Sequence, residues 1–198
     1  MIENILFLGP NNSPLLRWLR KNERNIIWTD NKINPSFILE NKVHFVVSYG
    51  YRYIIGGDIL ELLPNRVINL HISLLPFNKG ADPNFWSFIE NTPKGVSIHY
   101  IDEGIDTGNL LIQKEIFFDG VNSTFSTTYN VLKGEIEELF YKHWVSIKEF
   151  KISSYPQPAG GTYHKLNDKK KYMEYLKVKG WDTEISCMLE KINSKRYE

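Results

Sequence analysis

The first hundred residues alternate short β-rich runs with helix-like stretches, and that alternation restricts the chain to a mostly parallel sheet covered by helices. The runs at 5–8, 25–29, 44–48 and 67–70 are rich in Ile, Val, Phe and Leu, as parallel strands buried on both faces are. Between them, 14–21, 35–41 and 57–63 suit helices. Pro14 and Pro35 fit a first helical turn, where the missing N–H costs nothing. After residue 80 the pattern changes to a helix near 83–90 and two alternating strands, GVSIHYID and NLLIQKEIFF. The glycine-punctuated loop 103–108 joins these strands as a hairpin-like pair. Apolar residues at 131, 132, 136, 139, 140, 144 and 147 recur with a helical period and predict a long helix over 124–147 on one sheet face. From residue 153 the chain becomes Pro- and Gly-rich and then Lys-rich, which predicts a main domain over 1–150 and a short extension over 151–198.

A chain of 198 residues, 42% hydrophobic and 14% aromatic, can bury one full core. Its 24 Lys and Arg balance 23 Asp and Glu, so no global field draws it to nucleic acid or to an anionic membrane. The expected partner is a small molecule. No run approaches the roughly 20 apolar residues of a membrane span. The start, MIENILFLG, lacks a basic flank and reads as a first strand rather than a leader. Cys187, the single cysteine, has no internal disulfide partner, and a cytoplasmic location is expected. The histidines show no HExxH and the chain no CxxC, so no metal is expected.

The chemistry concentrates in VINLHISLLPFNKG (67–80). A buried strand there delivers Asn69 and His71 at its C-terminal end, where ligands of open α/β sheets sit. Residues i and i+2 of a strand point the same way, so an amide donor and a titratable imidazole face one space. The plainer alternative is a turn-capping Asn69 and a satisfied, half-buried His71. In HYIDEGIDTG, Asp106 lies between Gly104 and Gly108, and a carboxylate there can orient an imidazole. Asp102 and Glu103 compete for that role, and spacing does not separate them.

The pattern Asn69-x-His71-x-Ser73-Leu74-Leu75-Pro76 with Gly80, then Gly95-Val96, His99, Asp106-Thr107-Gly108 and Gln113, resembles the folate-dependent formyltransferase family. The resemblance covers about residues 1 to 120. It implies a Rossmann-like α/β fold with 1–150 as the catalytic domain, 10-formyltetrahydrofolate as formyl donor, and Asn69, His71 and Asp106 as the catalytic trio. The residue types suit the reaction. Attack of a neutral amine on a formyl carbon creates an oxyanion that needs a donor, and a proton that must be moved. Asn69 fits the first task, assisted by His71, and Asp106 fits the second.

The stretch VVSYGYRYIIGGDIL resembles the family's pterin-holding strand and loop. That implies donor contacts from Tyr49, Gly50, Tyr51, Arg52, Tyr53 and Ile54, with Leu75, Pro76, Ile101, Asp102, Gly104 and Ile105 as the opposing wall. The first strand-to-helix turn offers the N–H groups of Gly9, Asn11 and Asn12 to a phosphate of the acceptor. A plain helix cap by Asn12 or Ser13 is the alternative. Lys79, Gly80 and Asp82, just beyond the Asn69–His71 strand, complete the acceptor candidates. Within the family, GADPNFW and the tail GGTYHKLND resemble the compact sugar N-formyltransferases, which implies a nucleotide-linked amino sugar as acceptor. The tail is too short for the barrel with which a tRNA-acting branch grips its substrate. Lys165 and Lys169 are either a solvated face or a contribution to diphosphate binding. Transfer to another small or carrier-bound amine, hydrolysis of the donor, and a binding module without turnover are the remaining readings. The sequence leaves the oligomeric state open, a homodimer included.

Overall fold

The computed structural model describes residues 3–119 and 123–194; residues 195–198 of the expected extension lie outside the described residues. Along the chain come β1 (Asn4–Leu8), α1 (Pro14–Asn22), β2 (Asn25–Thr29), α2 (Pro35–Glu40), β3 (Phe45–Ser48), α3 (Gly57–Leu62) and β4 (Val67–His71). Each lies within one residue of its expected limits. There follow β5 (Lys79–Gly80), α4 (Pro83–Ile89), β6 (Gly95–Tyr100), β7 (Leu110–Glu115), α5 (Phe125–Lys148), β8 (Tyr163–His164) and α6 (Ile185–Ser194). Pro14, Pro35 and Pro83 sit in the first turns of α1, α2 and α4, where their fixed φ is pre-set for the helix.

Six strands form one sheet in the order β2-β1-β3-β4-β6-β7. β1 pairs in parallel with β2 and β3, β3 pairs in parallel with β4, and β6 runs antiparallel to β4. The fold is therefore α/β with a mostly parallel, Rossmann-like sheet. Because the chain builds outward from β1 first to β2 and then to β3, the loops after β1 and β3 part at a topological switch point, where such sheets open a crevice.

Two expectations are corrected. β2 is not buried on both faces: it is the edge strand, with Asn25 exposed and the remaining residues half-buried. Edge position follows from long-range pairing, which local composition does not record. On α5, Val131 is 46% exposed, whereas Leu132, Ile136, Phe140, Trp144 and Ile147 form the buried stripe. One residue is a rotation of about 100° on a helix, enough to carry Val131 off that stripe.

Two compact units divide the described chain. The first holds residues 3–71, 97–112 and 136–157, and the second holds the remainder. In the first, successive strand residues face opposite sides of the sheet. Leu6, Leu8, Val46 and Val67 pack with Ile38 of α2 and Ile59 of α3. Phe45 points the other way and meets Trp144 of α5, ring centroids 5.5 Å apart. Trp144 is fully buried and its indole N–H donates to Glu23 at 2.6 Å. Truncating such a residue to alanine costs about 3–5 kcal/mol. In the second unit, Phe85 and Trp86 of α4 pack with Phe125 of α5 and with Ile185, Met188 and Ile192 of α6. β5 and β8 form a separate parallel ladder there.

Candidate active site

Asn69 and His71 occupy the last turn of pleat in β4, and Asn69 faces His99 directly across the antiparallel pairing with β6. Cross-strand partners stand about 5 Å apart on one face, so the register alone brings an amide against an imidazole. The Asn69 Nδ2 lies 3.2 Å from Asp106 Oδ1 and 3.3 Å from His99 Nε2. His71 Nδ1 is 3.6 Å from Asp106 Oδ2, and His99 Nε2 is 3.5 Å from Asp106 Oδ1. The side chains of His71, His99 and Asp106 are 8%, 2% and 14% exposed, so these contacts operate largely away from water.

The proton positions follow from the partners. His99 Nδ1 is 2.7 Å from the carbonyl oxygen of Tyr100, which can only accept, so Nδ1 carries the hydrogen. In neutral His99, Nε2 is then an acceptor, and the Asn69 amide donates to it and to the Asp106 carboxylate. The same two acceptors fix the orientation of the amide, because the reversed form would set its oxygen against a carboxylate.

Asp106 reaches this cluster from the loop between β6 and β7, with φ at 53° in the left-handed region. The side chain of Gln157 donates to the carbonyls of Asp106 at 2.8 Å and Gly108 at 2.9 Å, and the N–H of Ile101 donates to Val67 at 2.9 Å. Gly108 is required there: a Cβ would lie 1.9 Å from the oxygen of Tyr100. Asp102, which spacing left as a rival, is occupied inside the loop, accepting from Gly104 N–H at 3.1 Å and the Thr107 hydroxyl at 2.6 Å. Glu103 is exposed and turned toward Gly57, where a Cβ would meet its carboxylate at 2.9 Å. His99 stood in the motif without a role, and Gln157 carried no signal at all. The alternation in GVSIHY places His99 on the same face as Ser97, but only the β4–β6 register puts it opposite Asn69.

The two segments expected around the donor are neighbours in the first unit. Tyr51 and Ile101 pack against the same core cluster, while Tyr53, Ile54 and Ile105 present exposed apolar surface. Gly104 lies in the same loop as Ile105. Tyr49 is different: its ring is buried, its hydroxyl donates to Glu137 at 3.1 Å and its N–H donates to Leu8 at 2.9 Å. Leu75 and Pro76 belong to the second unit. Leu75 is buried there and its carbonyl accepts from Gln113 at 2.8 Å.

The expected acceptor residues divide between the units. Gly9, Asn11 and Asn12 line a cavity of about 340 Å³ in the first unit, together with Asp30, Gly50, Tyr51 and Arg52. Ser13 holds the N-cap position of α1 but makes no side-chain cap bond. Lys79 and Gly80 form β5 in the second unit, paired with Tyr163 and His164. Asp82 holds the N-cap position of α4 there, without a side-chain cap bond, and pairs with Lys169 at 2.7 Å, so Lys169 is engaged by protein rather than solvated. Asp82 also lines a cavity of about 240 Å³ with Phe85, Phe125 and Trp181. Among the described residues, no group of three His, Cys, Asp or Glu could hold a metal ion, and no helix is long and apolar enough to cross a membrane.

Comparison with known proteins places this geometry. Residues 22–142 match the Formyl transferase family model. The chain is 49% identical to the formyltransferase PseJ from Anoxybacillus kamchatkensis, whose crystal structure holds UDP-4,6-dideoxy-4-formamido-L-AltNAc and tetrahydrofolate. That alignment covers 94% of this chain and 97% of the other, with a TM-score of 0.88. The methionyl-tRNA formyltransferase of Thermodesulfovibrio yellowstonii is 36% identical over 126 residues, 62% of this chain and 38% of its own length. The phosphoribosylglycinamide formyltransferase of Bacillus subtilis is 32% identical over 108 residues, 54% of this chain and 53% of its own length. The chain thus spans about a third to a half of the curated relatives it matches.

Proposed function

We infer from membership of the Formyl transferase family, to which this chain belongs, that it transfers the formyl group of 10-formyltetrahydrofolate to the 4-amine of a UDP-linked amino sugar. The observation that carries the reading is the convergence of Asn69, His71 and Asp106 at the C-terminal end of β4, each side chain within 3.6 Å of Asp106. The 49% identity to a protein bound to a UDP-4-formamido sugar, the product of such a transfer, supports the acceptor.

The donor supplies a formyl group on a nitrogen that can leave. The chain's residues divide the work around it. In the reaction one Asn69 amide N–H exchanges its His99 partner for the negative charge that develops on the formyl oxygen while the other stays on Asp106, and a protonated His71 adds a second donor. Asp106 accepts the proton that the attacking amine gives up as its new bond to the formyl carbon forms. That proton passes to the departing folate nitrogen, so no net charge is gained or lost. The 2% exposure of the His99 side chain keeps water from competing for the Asn69 amide. The exposed apolar side chains Tyr53, Ile54 and Ile105, beside the Asp106 loop, suit one face of a flat heteroaromatic ring. We assign the donor to that surface, with the backbone of 49–54, Ile101, Asp102 and Gly104 completing it.

The test is to supply 10-formyltetrahydrofolate with UDP-linked 4-amino sugars, dTDP-linked amino sugars and simple amines, following tetrahydrofolate release and acceptor mass. Gain of one formyl group by a UDP-linked 4-amino sugar supports the assignment. Release of tetrahydrofolate with every acceptor omitted, at the same rate, would replace it with donor hydrolysis.

A further inference from the structure

Asp106 acts from a loop, whereas Asn69, His71 and His99 stand on strands. A loop carboxylate is only as well aimed as the bonds that hold its backbone. Asp102 secures the first half of this loop from within, through the Gly104 N–H and the Thr107 hydroxyl. The second half is gripped from outside by Gln157, whose amide nitrogen donates to the carbonyls of Asp106 at 2.8 Å and Gly108 at 2.9 Å. We propose that Gln157 is a positioning residue for formyl transfer. Its two N–H groups fix the peptide groups that follow Asp106 and Gly108, and so aim the Asp106 carboxylate at Asn69 and His71. The inference rests on the chemistry proposed above, in which Asp106 takes the proton of the attacking amine.

Pairing with β7 delivers Gln157 to this place. Leu110, the first residue of β7, forms an antiparallel bridge with Tyr155, its N–H donating at 2.8 Å and its carbonyl accepting at 3.0 Å. In such a pairing each step forward on one strand matches a step back on the other. Two residues on, the same register sets Gln157 opposite Gly108, which has no side chain to hold the glutamine away. β7 ends the sheet order, so its outer edge takes this segment. Within the second unit the chain that follows is fastened again. Gly161 has φ at 89° and passes so close to Pro76 that a Cβ would lie 2.0 Å from its oxygen, and the Thr162 hydroxyl accepts from the N–H of Asn78 at 2.8 Å. Gln157 is thus held from both sides along the chain.

The residue type fits the task. A carboxamide nitrogen carries two N–H groups and no charge, and two carbonyls need two donors. A lysine or arginine here would also offer a positive charge, for which the Asp106 carboxylate would leave Asn69 and His71. The neutral amide grips the backbone and leaves the carboxylate to the cluster. Its Oε1 is buried and has no hydrogen-bond partner among the described residues. A buried unpaired acceptor is unfavourable, so the two bonds from the nitrogen are what the position retains. Asp106 itself has φ at 53°, a left-handed conformation that a residue with a side chain keeps when its surroundings hold it. With that backbone fixed, two side-chain torsions carry the carboxylate to 3.2 Å from Asn69 Nδ2 and 3.6 Å from His71 Nδ1. Misplacing a reacting group by about 1 Å can cost about 10² in rate, which is the scale on which release of this loop matters.

The experiment compares the full chain with Gln157→Met, which keeps the length and has no donor, and with Gln157→Glu, which keeps the shape and donates only when protonated. Transfer from 10-formyltetrahydrofolate to a UDP-linked 4-amino sugar is followed over the pH range in which the wild type is active, with denaturant unfolding and 5-formyltetrahydrofolate titration in parallel. Gln157→Met is expected to lower kcat about 10- to 10²-fold, with KM for the sugar and folate affinity within about twofold of the wild type. Gln157→Glu is impaired to the same degree at neutral pH, where its carboxylate has no hydrogen to give to the two carbonyls. Its kcat relative to the wild type rises as the pH falls, because burial and the carbonyls favour the protonated acid, which donates again. A wild-type kcat in Gln157→Met would overturn the inference. A ratio of Gln157→Glu to wild type that stays flat with pH, or a loss of activity no larger than the unfolded fraction, would make Gln157 a packing residue and overturn it as well. A wild type that formylates no acceptor would overturn the function proposed above and this inference with it.

Discussion

The cluster on β4 and β6 and the cavity beyond β1, β2 and β3 share one edge of one sheet, yet they are built in opposite ways. In the cluster, Asn69, His71 and His99 sit on strands, both histidines are buried, and each of the three lies within 3.6 Å of Asp106. In the cavity, loop backbone forms the wall, and Asp30 and Arg52 are exposed and touch no protein partner among the described residues. Charge that develops during a reaction is stabilised best by dipoles that do not have to move, which strands and cross-strand pairs provide. A polar ligand that arrives fully formed is better met by tied-down backbone and by side chains still holding their hydrogen-bonding capacity.

That contrast can be broken at several points. The largest effect is expected for Asn69→Ala, which removes the oriented donor. The rate constant kcat should fall about 10²–10³-fold while UDP affinity, by titration, stays within twofold. A parallel loss of UDP affinity would erase the distinction between the two regions. Gly108→Ala comes next, because its Cβ would enter the oxygen of Tyr100 at 1.9 Å and the loop carrying Asp106 must move. A loss of about 3 kcal/mol in denaturant unfolding is expected, with activity falling further than the unfolded fraction explains. His99→Ala should lower kcat about tenfold without changing KM for the acceptor, and His99→Gln, which restores an acceptor for the Asn69 amide, should recover part of the loss. The smallest effect belongs to Trp28→Phe. Losing the bond to Gly9 should raise KM for the nucleotide sugar about threefold and leave kcat alone.

The sequence made the strands and helices of the first hundred residues readable, because uninterrupted Ile, Val, Phe and Leu runs and helix-starting prolines are local signals. It did not reveal that β2 is an edge or that Val131 leaves the buried stripe, since both depend on which surfaces meet. The site was readable in the same proportion. Asn69 and His71 share a face because β4 is a strand, a property of two positions in one element. Separating Asp106 from Asp102 by geometry required the loop's own hydrogen bonds, in which Asp102 is consumed by Gly104 and Thr107. His99 needed the β4–β6 register, and Gln157 a contact with residues far earlier in the chain. The placing of Asp30 and Arg52 on one cavity needed three loops at once, which no spacing rule encodes.

The central claim is that chemistry at the β4–β6 cluster, separate from binding, delivers the formyl group. Rapid-quench single-turnover transfer from 10-formyltetrahydrofolate to a UDP-linked 4-amino sugar, with both ligands saturating, isolates that step in the wild type and in Asp106→Asn. Formylated sugar is expected in the wild type, with a transfer rate at least about 10²-fold lower in Asp106→Asn and both ligands still bound. Equal rates in the two proteins would contradict it.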